Sequence, residues 1–126
     1  MQTKLLYLSD LKFNLDVWKR ELKFHQAEMD EFEEKLGDIS IRGLGVDTMA
    51  PLEGFQNKII REREVIGRLL QRIRKKNKLI ETADMSENID GRLRQQQSML
   101  RDDMKIYIKL HYALKEEMMD FFLQWL

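Results

Sequence analysis

The chain has two histidines, and their positions carry the clearest chemical signal in its sequence. His25 and His111 each fall on a regularly spaced apolar seam, where imidazole is a rare choice. Glu62 occupies the same kind of position in the segment between them, and Glu21, Glu28 and Tyr107 lie within about a turn. If the segments are helices of one bundle, counting from their starts brings His25, Glu62 and His111 to one level. Two imidazoles and a carboxylate in one buried layer have three uses. The first is a satisfied hydrogen-bond network in which Glu62 accepts from the histidines and the layer fixes helix register. The second is a metal site, because imidazole and carboxylate suit zinc or iron. The third is a pH-dependent switch. The spacing favours the network. Di-iron bundles place a Glu-x-x-His pair on each of two helices. Here Glu21 precedes His25 by four residues, Glu28 follows it by three, and nothing comparable precedes His111.

Three elements must position that layer. From Leu8 the seam runs Leu11, Leu15, Trp18, Leu22, His25, Met29, Phe32, Leu36 and Ile39, in alternating steps of three and four. It predicts helix 1 over about residues 3–36, with Gly37 as a left-handed stop. The next stretch, GDISIRGLGVDTMA, has three glycines and exceeds the usual helix–helix connection of about 2–8 residues. It reads as a loop over 37–50. Its Ile39, Ile41, Leu44, Val46 and Met49 favour a loop packed against the helices. Pro51 suits the first turn of helix 2, expected over about 51–82. There Leu52, Ile59, Ile66, Ile73 and Ile80 recur every seven residues, with Phe55, Glu62, Leu69, Lys76 and Ala83 as companions. Asp84 or Ser86 can cap helix 3, over about 86–125, whose seam runs from Leu93 through Gln97, Tyr107 and His111 to Trp125.

The expected fold is all-α, a single domain over 1–126. It reads as an elongated up-down-up three-helix bundle, antiparallel and coiled-coil-like, with a long loop between helices 1 and 2. Composition agrees. Of the 126 residues, 35% are charged and 43% apolar, with six glycines and one proline. That is too apolar for a disordered tail and too poor in turn formers for a β-sandwich. Lys76, Gln97 and Asn14 suggest a second polar layer lower in the bundle.

Outside the seams, Phe13, Val17 and Phe24 form an extra apolar face on helix 1, and Met99, Ile106, Leu110 and Ala113 another on helix 3. The first reads as a self-association face, which implies a homodimer. The alternative is that the 37–50 loop covers it. The tail FFLQWL closes the core or, without adjacent basic residues, makes a poor membrane anchor.

The net charge is zero, but residues 51–84 hold 9 basic against 5 acidic side chains. Arg68, Arg72, Arg74, Lys75 and Lys78 form a candidate basic surface. No aromatic residue is interleaved to stack bases, so nucleic acid is the lesser reading for it. The sequence has no cysteine, no glycine-rich phosphate loop, no Gly-x-Ser-x-Gly and no His-Glu-x-x-His. No motif implies a cofactor, and an enzyme is not expected. Nothing approaches about 18 consecutive apolar residues, the opening run is too short for a signal peptide, and a cytoplasmic setting is the expectation. The sequence reading is therefore a non-enzymatic interaction bundle that self-associates and contacts an unidentified protein. The alternatives are a metal- or ligand-binding bundle, built on His25, Glu62 and His111, and a nucleic-acid accessory protein.

Overall fold

The computed structural model describes the backbone of residues 2–82 and 92–126 and the side chains of 8–82 and 93–126. It contains three helices and, among the described residues, no strand: α1 (Gln2–Ser40), α2 (Val46–Thr82) and α3 (Arg92–Trp125). Caps at Asp84 or Ser86 lie outside the described residues.

The heptad residues are the ones that lose their water. Leu15 and Leu22 of α1 pack with Ile66, Leu69, Leu70 and Ile73 of α2 and Leu100, Met104 and Tyr107 of α3. A second cluster joins Met29, Phe32, Leu36 and Ile39 to Leu52 and Ile59 and to Met118, Phe121 and Phe122. Leu11 and Leu93 form a small third cluster with Leu8 and Ile80 against it. Cluster by cluster, residue numbers rise in α1 and α3 and fall in α2. Each large aliphatic side chain so buried contributes about 1.5–3 kcal/mol. The tail follows the same logic: Phe121 and Phe122 are buried, while Leu123 and Leu126 remain exposed.

The break between α1 and α2 is shorter than the glycines suggest. Gly37 does not stop α1, which continues to Ser40 because Ile39, fully buried, holds one more turn against Leu36 and Leu52. The end comes at Gly43. The Arg42 and Gly43 amides donate to the carbonyls of Ile39 and Ser40, three residues back, and Gly43 takes φ 62°. Gly45, at φ 83°, starts α2, its carbonyl accepting from the amides of Thr48 (3.3 Å) and Met49 (2.9 Å). Asp47 lies in the first turn, where a carboxylate complements the helix dipole. Pro51 therefore lies in the second turn, not the first. It removes only the amide that would have reached the Asp47 carbonyl. The interruption is thus 41–45, and no packed loop forms: Ile41 and Val46 are 83% and 79% exposed.

The lower polar layer also does not form as expected. Gln97 is buried and donates to the Leu11 carbonyl at 3.0 Å. Lys76 reaches Gln96 at 3.3 Å on the exterior, and Asn14 is exposed.

The two kinds of glycine should respond oppositely to a methyl group. Gly45→Ala forces a side chain into the left-handed region and should lower stability by about 1–2 kcal/mol. Gly54→Ala, inside α2 with open space around its Cβ position, should raise it by about 0.5–1 kcal/mol. Urea denaturation of the two variants against the parent reads both signs.

Candidate functional site

Between the two large apolar clusters the core turns polar. His25 from α1, Glu62 from α2 and His111 from α3 are buried there, the histidines almost completely. Their seam positions and neighbouring heights bring them together. The imidazole rings stack, with centroids 3.7 Å apart and planes 11° from parallel.

Each ring nitrogen has a partner. His25 Nε2 lies 3.1 Å from Glu21 Oε1, and His25 Nδ1 lies 2.6 Å from the Tyr107 hydroxyl. An ionised carboxylate only accepts, so Nε2 carries the proton and Nδ1 accepts from Tyr107. His111 Nδ1 bonds Glu62 Oε1, and His111 Nε2 lies 3.3 Å from Glu28 Oε1. Both of its partners are carboxylates, so an N–H at either nitrogen finds an acceptor. Lys115 bonds the other oxygen of Glu28, and the Tyr112 hydroxyl donates to Glu21 at 3.4 Å.

Electrostatics follow from this packing. Burial holds the His25 imidazole below its ordinary value of 6.5. His111 adds to that depression, and the charges of Glu21 and Glu28 oppose it. Burial, then the charge of Glu62 and a hydrogen bond to it, push the Tyr107 hydroxyl upward. Tyr107 thus remains a hydroxyl able to turn between His25 and Glu62. Three carboxylates surround the imidazoles, and Lys115 is the one lysine bonded to them among the described residues.

The expected layer of His25, Glu62 and His111 is therefore assembled. Glu28, Tyr107 and Lys115 complete it. Glu28 sits one turn beyond His25 on the same side, and Lys115 stands four residues after His111. That i,i+4 spacing was the signal for Lys115. The ring stack itself has no sequence signal, because spacing fixes height and not ring angle.

The basic residues divide. Arg68 and Arg72 line a groove of about 680 Å³ between α2 and α3, walled by Val65, Leu69, Ile106 and Leu110. Arg72 also pairs with Asp103 at 2.7 Å. Arg74, Lys75 and Lys78 are exposed and do not line the groove. Glu62, Tyr107 and His111 form part of its floor, so the groove reaches the polar layer. Phe13, Val17 and Phe24 are 62%, 39% and 58% exposed, so the connection between α1 and α2 does not cover them. No helix among the described residues is long and apolar enough to cross a membrane. Comparison with known proteins finds no matching family model, no matching curated protein and no matching solved structure.

Removing one member of the layer should cost far more than removing a matched pair. Glu62→Leu strands the His111 Nδ1–H in the core and should destabilise by about 3–5 kcal/mol. The double variant Glu62→Leu/His111→Leu should recover a large part of that loss. A double-mutant cycle by urea denaturation in the presence of a chelator measures the coupling.

Proposed function

We propose that this chain is a cytoplasmic, non-enzymatic interaction module. In this reading it is an up-down-up three-helix bundle with coiled-coil-like packing that self-associates as a homodimer. The observation that carries the reading is the exposed apolar face of α1. Phe13, Val17 and Phe24 project from a helix whose opposite side already supplies Leu15 and Leu22 to the core. The fold is complete without them, so their exposure has no use within one chain. Large aromatics left in water favour association by about 25 cal/mol per Å² of apolar surface covered.

Side chains of both signs flank the face: Lys12, Asp16, Arg20 and Lys23 are all exposed. In an antiparallel pair Asp16 of one copy comes level with Arg20 of the other. Antiparallel pairing of two α1 helices about a two-fold axis sets Phe13 of one copy against Phe24 of the other. The second element of the reading is the α2/α3 groove. Its apolar wall and arginine rim suit an acidic amphipathic helix from a protein partner.

The test is the mass in solution. The parent chain should run as a dimer in size-exclusion chromatography with light scattering. Phe13→Glu/Phe24→Glu should run as a monomer with unchanged helical content. A parent chain that is monomeric at every accessible concentration would remove the self-association reading.

A further inference from the structure

We propose that the stacked histidine pair is a binding site for one divalent transition-metal ion of the zinc class, held by His25 Nε2, His111 Nε2 and Glu28 Oε1. Phe24 of the self-association face stands beside His25, with ring centroids 6.2 Å apart, but neither reading depends on the other.

The geometry supplies the donors. One ligand atom from each of His25, Glu28 and His111 lies within 4.8 Å of the other two. Zinc at its usual bond lengths of about 2.0–2.2 Å draws such atoms somewhat closer together. Both Nε2 atoms face carboxylates of α1: His25 faces Glu21 at 3.1 Å, and His111 faces Glu28 at 3.3 Å. A cation at this point replaces the Nε2–H of each ring as the partner of those carboxylates. Water completes the coordination, and two imidazoles with a carboxylate is a donor set that zinc accepts.

The supporting groups are those that a metal site needs. A ligating histidine donates its other ring N–H to a carboxylate or hydroxyl, which fixes its tautomer and orientation. His111 Nδ1 already meets Glu62. His25 Nδ1 already meets the Tyr107 hydroxyl, and that hydroxyl is within hydrogen-bonding reach of Glu62. When His25 ligates through Nε2, its proton sits on Nδ1 and is donated to the Tyr107 oxygen, whose O–H turns to Glu62. One carboxylate therefore anchors both imidazoles, directly and through Tyr107. Glu28 is held in the same way: Lys115 binds Oε2 and leaves Oε1 facing His111.

One movement is required. Rings 3.7 Å apart and 11° from parallel aim their lone pairs side by side, not at one point. Metal binding opens the stack, each ring pivoting about its anchored Nδ1 so that the Nε2 atoms converge. The donor set alone would also serve an ordinary buried network. The distinguishing features are that both Nε2 atoms meet carboxylates of α1, and both Nδ1 atoms are tied to groups of α2 or α3.

Untagged protein stripped with EDTA and titrated with Zn²⁺ by calorimetry tests the site. Saturation at one ion per chain is expected. Glu28→Gln, at the edge of the core, should weaken binding at least about tenfold, and Glu62→Gln by about 10–100-fold with the stoichiometry kept. Circular dichroism checks that each variant is folded. Absence of saturable binding, or unchanged affinity in folded Glu28→Gln, would overturn the proposal. Co²⁺ added to the parent chain gives a readout independent of any variant. The intense visible bands of a four-coordinate ion support the site, and the pale spectrum of a six-coordinate ion contradicts it.

Discussion

Everything distinctive about this molecule depends on the burial of two imidazoles between two apolar clusters. An imidazole in a dry core leaves two nitrogens to satisfy, and stacking two of them doubles the requirement. The chain meets it with groups from all three helices: Glu21 and Glu28 of α1, Glu62 of α2, and Tyr107 of α3. A slip of one turn in any helix would leave a charged or polar group without its partner inside the core. The apolar clusters on either side reward many registers almost equally, because leucine and isoleucine at heptad spacing interdigitate wherever they meet. The polar layer does not. Only one register pairs all of its groups, and burying them costs desolvation that an all-apolar layer would avoid.

The apolar cluster above that layer sets how far the first two helices extend. α1 has to continue past Gly37 to place Ile39 against Leu52, and α2 has to begin at Val46 to do the same from its side. The connection is then squeezed into residues 41–45, where two glycines with positive φ make the reversal. The apolar residues of this connection stay exposed because five residues cannot fold back over the helices. Phe13 and Phe24, further down α1, are exposed as well, which is the basis of the proposed self-association.

The seam residues could be read from spacing alone. Leu15, Leu22, Met29, Ile59, Ile66, Met104 and Met118 all lose their water as their three-four alternation requires. The joining of His25, Glu62 and His111 was also legible, since helical rise converts residue counts into height. Boundaries were less so. Gly37 looks like a stop in sequence, but a glycine ends a helix only where the chain needs a positive φ, and burial of Ile39 removes that need. Pro51 marks a helix start by habit rather than necessity, since its missing amide is tolerated one turn in. The placement of Lys76, Gln97 and Asn14 in one layer failed for another reason. Lys76 is long enough to reach Gln96 on the exterior, and Gln97 finds a backbone carbonyl instead of a side chain. Spacing gives height and face; it gives neither side-chain reach nor ring angle.

The protonation pattern of the two rings is the most direct test of the layer. Long-range nitrogen–proton NMR of the metal-free chain at neutral pH reports it site by site. The arrangement here predicts His25 as a single neutral tautomer protonated at Nε2, hydrogen-bonded to Glu21, and His111 with an N–H held in a hydrogen bond to a carboxylate. Both should be shielded from exchange with solvent. Two rings that show the averaged tautomers of free histidine and exchange rapidly would contradict the buried network and everything argued from it.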